Sequence, residues 1–130
     1  MSKVTVIAAR VLLGLPFCVF GANGFWHFMP QPPLTGKIAA LMGGMAESGY
    51  LLPLIFGTQI VGGLLVLSGR LAPLGLALLA PVLVNILCFH AALDPKGIVP
   101  GLVMTVLEIY LAWAYRGSFR GVLTTSAKPT

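Results

Sequence analysis

Long apolar runs, separated by short polar segments, are the dominant pattern along this chain. The runs at residues 4–28, 49–68, 71–93 and 98–115 each approach the roughly 20 residues that a helix needs to cross the hydrocarbon core of a bilayer. The connections between the last three runs are turns of a few residues, rich in glycine, proline and charged side chains. The pattern therefore predicts an all-α protein, a four-helix transmembrane bundle with up-down antiparallel topology.

The segment between the first two runs has a different pattern. Three prolines between residues 30 and 33 end the first helix, and Thr35 can then cap a short helix over residues 36–46. Its apolar residues recur at helical spacing, but it is too short to span a bilayer, so we expect an interfacial helix. The bundle forms one domain over residues 1–123, and the polar residues 124–130 are expected to be a disordered tail.

Composition supports the bilayer as the solvent of this protein. Of 130 residues, 58% are hydrophobic and 8% are charged, whereas soluble domains carry about 25% charged residues. The net charge of +5 does not indicate nucleic-acid binding, because the basic residues occur singly and at segment ends. The lipid bilayer is therefore the partner that the composition predicts, and nucleic acid is excluded.

The distribution of lysine and arginine predicts the orientation. With the amino terminus inside, six basic residues fall on the cytoplasmic side and two fall outside. The six are Lys3, Arg10, Arg70, Arg116, Arg120 and Lys128, and the two are Lys37 and Lys96. By the positive-inside rule both termini are cytoplasmic.

Five polar side chains within the predicted helices are candidate ligand-binding residues. Gln59 and Glu108 lie near the middle of their helices, and Asn85, His90 and Asn23 lie nearer the outer surface. Such groups cost about 2–3 kcal/mol at the bilayer centre, so they are expected to face the bundle interior, with Gln59 the natural hydrogen-bond partner of Glu108. They form either a polar pocket that opens outward or a set of interhelical hydrogen bonds, and both interpretations stay open here.

Other chemistry has little support in the sequence. Cys18 and Cys88 occur without a CxxC pair or a zinc-ligand spacing, so they do not report a redox compartment. His27 and His90 alone are weak grounds for haem. No phosphate-binding loop, GxSxG or HExxH motif is present, which leaves hydrolysis without a nucleophile or metal.

Four stretches together resemble the DoxX-like family of small membrane proteins. They are residues 10–14 (RVLLG), 59–70 (QIVGGLLVLSGR), 85–90 (NILCFH) and 108–116 (EIYLAWAYR), and the resemblance extends over about residues 6–123. It implies a four-helix protein of the bacterial inner membrane that is linked to quinone-dependent oxidoreduction and to membrane oxidoreductase subunits. Many members carry a glutamate before the paired glycines of the second spanning helix, where this chain has Gln59, so the resemblance leaves Glu108 as the interior acid.

The resemblance favours an accessory or quinone-linked subunit of a membrane redox system, with an interior pocket for a quinone or a similar ligand. One alternative is a small proton-coupled transporter, working as a homo-oligomer, in which Glu108 carries the proton. The other alternative is a structural or assembly factor whose polar residues only fix the register of the helices.

Overall fold

The computed structural model describes residues 2–130, and that part of the chain is helical without a β-strand. The helices are α1 (Lys3–Trp26), α2 (Gly36–Glu47), α3 (Leu51–Ser68), α4 (Ala72–Leu93) and α5 (Ile98–Ala114). Short 3₁₀ segments precede α5 and follow it, at Pro95–Gly97 and Arg116–Phe119. The predicted all-α fold, with a short helix between the first two long ones, is confirmed.

The four long helices α1, α3, α4 and α5, the last taken together with the 3₁₀ turn before it (Pro95–Ala114), are long and apolar enough to cross a membrane. They are arranged in chain order around the bundle: α1 packs along α3, α3 along α4, α4 along α5, and α5 returns to α1. Both chain ends therefore lie at one end of the bundle, which we call the terminal end. The opposite end carries α2 and the turn before α5, and we call it the α2 end.

The helix ends differ from the predicted bounds by at most two residues. α1 ends at Trp26 rather than at residue 28, because His27 adopts the left-handed conformation (φ 52°) and stops the helix. The His27 N–H donates to the carbonyl oxygen of Asn23 at 2.8 Å. Thr35 stands at the N-cap position of α2 as predicted, although its side chain makes no capping hydrogen bond.

Glycines bring α1 and α3 close together. A Cβ atom on Gly14 would lie 2.8 Å from the carbonyl oxygen of Gly63, and one on Gly63 would lie 2.8 Å from the sulfur of Cys18. Only residues without bulky side chains permit backbones to approach this closely. The contact fixes the register of the two helices and holds Gln59, one turn before Gly63, against α1.

The fully buried apolar core lies mostly in the terminal half of the bundle. Its members come from the start of α1, the end of α3, the start of α4 and the end of α5, and these parts of the four helices meet at the terminal end. They are Ala9, Leu13, Phe17, Val66, Leu76, Leu79, Leu83 and Leu111. The α2 half is packed less completely, and its interior holds the cavities described next.

Candidate functional site

Gln59 is the most deeply placed uncharged polar side chain of α3. It is 8% exposed, and its amide makes no hydrogen bond to any group within residues 2–130. Unlike Glu108 Oε2, its polar atoms are not fully enclosed by protein, because the side chain lines two cavities. Such a group is a candidate for binding a ligand, because a ligand supplies the missing hydrogen bonds.

A cavity of about 680 Å³ lies beside Gln59, within the range of roughly 300–1,000 Å³ that is usual for small-molecule sites. We call it the lateral cavity. All four long helices contribute to its wall, which is largely apolar. The lining residues are Pro16, Phe17, Phe20, Gln59, Leu83, Ile86, His90, Gly97, Val99, Pro100, Gly101, Val103 and Met104.

The lateral cavity opens between α1 and α5. Three of its lining residues are also more than half exposed, namely Phe20 of α1 and Val99 and Val103 of α5. In a bilayer these side chains contact lipid, so a lipid-soluble compound can enter from the membrane without crossing water.

His90 provides the second polar group of the lateral cavity. Its Nδ1 lies 3.3 Å from the carbonyl oxygen and 3.6 Å from the Oδ2 atom of Asp94, one turn later. The ring also packs edge-on against Phe89, with the ring centroids 5.2 Å apart. These contacts hold the imidazole in one orientation and leave Nε2 as the ring nitrogen available to a ligand.

A second cavity, of about 550 Å³, lies at the α2 end between α1, α2 and α3. We call it the α2 cavity. Gln59 and Phe20 line both this cavity and the lateral cavity, so these two side chains stand between them. The other lining residues are Asn23, Gly24, Phe25, His27, Gln31, Met42, Ala46, Gly49, Leu52, Pro53 and Phe56.

Asn23 has a structural role that the sequence did not indicate. Its side chain is 4% exposed, and Oδ1 accepts a hydrogen bond from the N–H of Met29 at 2.8 Å. With the bond from His27 to its own carbonyl, Asn23 holds the chain where it leaves α1. It lines the α2 cavity and not the lateral cavity.

Glu108 lies in a different place from the one expected. It lines a separate cavity of about 270 Å³ between α4, α5 and the segment after α5, with Leu76, Ala77, Ala80, Ala112, Arg116, Phe119 and Leu123. Its Oε2 atom is buried without a hydrogen-bond partner in residues 2–130. The expected bond between Gln59 and Glu108 is absent from that part of the chain, because α5 turns the carboxyl group toward α4 and away from α3.

Asn85 departs furthest from the prediction. It is exposed on the outer surface of α4 and lines none of the three cavities described above. The expectation that the interior polar residues share one pocket is therefore wrong for Asn85 and for Glu108. Gln59 and His90 do share a cavity, and Gln59 and Asn23 share the adjacent one.

The remaining candidates bring no metal or haem site together. His27 lines the α2 cavity and His90 lines the lateral cavity, so the two imidazoles do not face one common site. Within residues 2–130 no group of three or more histidine, cysteine or acidic side chains can hold a metal ion. Cys18 and Cys88 are both free thiols, and only Cys88 is exposed.

Sequence reasoning missed the aromatic and proline residues of α1 that form the cavity wall. In the sequence, Phe20 is indistinguishable from the other apolar residues of α1, and Pro16 by itself predicts only a bend in the helix. Their position became evident only once the packing of α1 on α3 was known.

Comparison with protein-family models, with curated proteins and with solved structures finds no match to this chain.

Proposed function

We propose that this chain is a DoxX-like membrane protein whose lateral cavity binds a quinone or a similar lipid-soluble ring compound. In this role it is an accessory or quinone-linked subunit of a membrane redox system. The observation that carries the proposal is the amide of Gln59, which has no protein partner within residues 2–130 and lines a largely apolar cavity that opens to lipid. The resemblance of residues 59–70 and 108–116 to DoxX-like proteins supports the same conclusion.

The chemistry of the lateral cavity suits a quinone head group. Small-molecule sites are commonly 300–1,000 Å³ in volume, mostly apolar, and carry a few placed polar groups, and a cavity of about 680 Å³ with Gln59 and His90 has this character. The amide of Gln59 can donate to a ring carbonyl, and the imidazole of His90 can donate or accept according to its tautomer. An isoprenoid tail can leave past Phe20 and Val103 into the bilayer.

Ligand-induced stabilisation tests this proposal directly. The purified protein is placed in lipid nanodiscs, and its unfolding temperature is measured with and without a short-chain ubiquinone or menaquinone. A ligand at 100 times its Kd adds about 2.7 kcal/mol to the stability of the protein that binds it. We expect a clear rise in unfolding temperature for the wild type, and loss of that rise in Gln59→Leu and in His90→Ala.

Glu108→Gln is the matched control, because Glu108 also lies within the membrane but lines a different cavity. It should keep the quinone-induced rise. The same rise in Gln59→Leu and in wild type would show that the compound only partitions into the lipid, and the proposal would then fail.

A second candidate function rests on Glu108. Its Oε2 atom has no hydrogen-bond partner in residues 2–130, and Glu108 makes no ion pair there. Arg116 lines the same cavity, but its guanidinium donates to the carbonyl oxygen of Trp113. A carboxyl group in such a site can carry a proton across the terminal half of a small transporter.

Dicyclohexylcarbodiimide, which modifies carboxyl groups in apolar surroundings, should label Glu108 and leave the exposed Glu47 unlabelled. Absence of label on Glu108, measured by mass spectrometry, would contradict this candidate.

The proposed setting is the bacterial inner membrane with both termini in the cytoplasm. The lysine and arginine residues at the terminal end support this orientation. Single cysteines placed at Ser2 and at Lys96, in a variant without Cys18 and Cys88, test it in intact cells. A membrane-impermeant maleimide should label Lys96→Cys and spare Ser2→Cys, and the reverse pattern would contradict the orientation.

A further inference from the structure

We propose that α4 is the interface of a homodimer, in which the Asn85 side chains of two copies hydrogen-bond to each other. The surface concerned follows one side of α4 at intervals of three or four residues. It consists of Ala77, Pro81, Asn85, Cys88 and Ala92, all of them exposed, and we call it the α4 seam.

The position of Asn85 requires a partner from outside the chain. It lies eight residues before the end of α4 at Leu93, which is about 12 Å along the helix axis at 1.5 Å per residue. That depth is within the hydrocarbon region. The side chain makes no hydrogen bond within residues 2–130, and lipid tails offer none. Amides at such depth face protein groups with which they can pair.

A second copy of this chain satisfies Asn85 without any additional assumption. An asparagine amide carries both a donor and an acceptor, so it is complementary to another asparagine amide. In a contact with twofold symmetry the same residue lies on both sides, and each Nδ2–H donates to the Oδ1 atom of its symmetry mate. Two side chains that are unpaired in the single chain then satisfy one another.

The shape of the α4 seam fits this contact. The exposed faces of α1 and α5 carry large side chains, such as Leu15 and Val19 of α1 and Val106 and Ile109 of α5. The α4 seam instead carries alanines, Pro81, Asn85 and Cys88, which allow two helices to approach closely, and the exposed large side chains of α4 are Leu74 before the seam and Val84 at its edge. Pro81 also has no N–H to donate to the carbonyl oxygen of Ala77. This backbone acceptor, on the same side of α4 as the Asn85 side chain, therefore lacks its helical partner.

The proposed interface is separate from the lateral cavity. Leu83, Ile86 and His90 turn one side of α4 toward the cavity. At about 100° per residue, Asn85 and Cys88 lie on the opposite side of the helix. The dimer therefore does not rest on the proposed quinone binding, and each can fail while the other holds.

Cys88 supplies a native probe of the interface. It is exposed three residues after Asn85, whereas Cys18 is turned toward α3 with its sulfur 3.9 Å from the carbonyl oxygen of Ile60. The protein is reconstituted in liposomes at a high lipid excess and treated with copper phenanthroline. We expect a covalent dimer in wild type and in Cys18→Ala, and only monomer in Cys88→Ala.

Random collision of two copies in the bilayer also cross-links exposed thiols, so a cysteine on a different face of the protein serves as the control. In the background lacking Cys18 and Cys88, Val106→Cys places an exposed cysteine on α5. It should cross-link at least tenfold less than Cys88. Asn85→Leu should raise the dimer dissociation constant, measured by energy transfer between labelled copies, about tenfold, the effect expected when the two reciprocal hydrogen bonds between the amides are both lost.

Two results with the reconstituted protein overturn the proposal. One is a Cys88 cross-link yield equal to that of Val106→Cys. The other is a dimer dissociation constant that is unchanged both in Asn85→Leu and in Ala92→Ile. The Ala92→Ile substitution adds bulk to the α4 seam and leaves the Asn85 amide in place. Cross-linking of Cys88 in native membranes only to a different protein also contradicts a homodimer.

Discussion

The two ends of the bundle are built differently. At the terminal end α1 and α5 are joined by hydroxyl contacts, and leucines fill the space between the helices. Thr5 Oγ1 lies 2.8 Å from Tyr110 Oη, and Arg10 donates to Tyr115 Oη at 3.4 Å. Toward the α2 end the same two helices separate, and the lateral cavity occupies the space between them. The comparison teaches that one bundle can combine a closely packed half with a half that contains cavities.

Arg10 strengthens the terminal end rather than reaching freely to the lipid surface. Its guanidinium lies against the turn between α3 and α4, where a Cβ on Gly69 would be 2.6 Å from Nη1. Its Nε atom is buried without a hydrogen-bond partner in residues 2–130. The side chain thus connects α1, the end of α3 and Tyr115, and it closes the terminal end of the bundle.

The largest expected effect comes from truncating the core of the terminal end. Leu111 is fully buried, so Leu111→Ala should lower the free energy of unfolding by about 2–5 kcal/mol through lost contacts and a new cavity. Leu102→Ala, on the exposed face of the same helix, is the control and should change stability by less than about 0.5 kcal/mol. Unfolding by denaturant in mixed micelles measures the free energy of unfolding of both variants. Equal losses of stability would contradict a closely packed terminal half.

A smaller effect, of opposite sign, is expected in the α2 half. Gln59→Leu replaces an amide that has no protein partner in residues 2–130 with an apolar side chain in the same cavity wall, so the ligand-free protein should gain up to about 1 kcal/mol in stability. Thr58→Val is the control, because the Thr58 hydroxyl already donates to the carbonyl oxygen of Leu54 at 2.7 Å. A loss of stability in Gln59→Leu would show that the amide is satisfied, and the site would lose its basis.

The smallest effect concerns the link between α1 and α5. Thr5→Val and Tyr110→Phe each remove one hydroxyl of the 2.8 Å contact. A double-mutant cycle should give a coupling energy of about 0.6 kcal/mol, which is the average for polar contacts between membrane helices. A coupling energy of zero would show that the leucine core alone keeps α1 and α5 together at the terminal end.

The sequence predicted the helices well because their length and apolar character are local properties. It also placed Gln59 near the middle of its helix, since depth follows from the rise per residue. It did not predict which way each helix faces. In a membrane the lipid-facing side is as apolar as the core, so α3 and α4 show little of the periodicity that orients a helix in water.

Asn85 and Glu108 illustrate that limit. Leu83, which faces the core, and Val84, which is exposed, are equally apolar, so the sequence around Asn85 does not reveal its outward direction. The rule that polar groups face inward then assigned Asn85 to the interior. That rule assumes a single chain, so it places a residue wrongly when the polar group belongs to a surface shared between chains. It also assumes a single interior site, whereas Glu108 lines a cavity of its own.

The shared wall formed by Phe20 and Gln59 has a consequence for access. The lateral cavity, whose rim is exposed to lipid, and the α2 cavity, which lies beneath α2, are separated by these two side chains. Passage of a small molecule from one cavity to the other therefore depends on the conformation of two residues and needs no rearrangement of the helices.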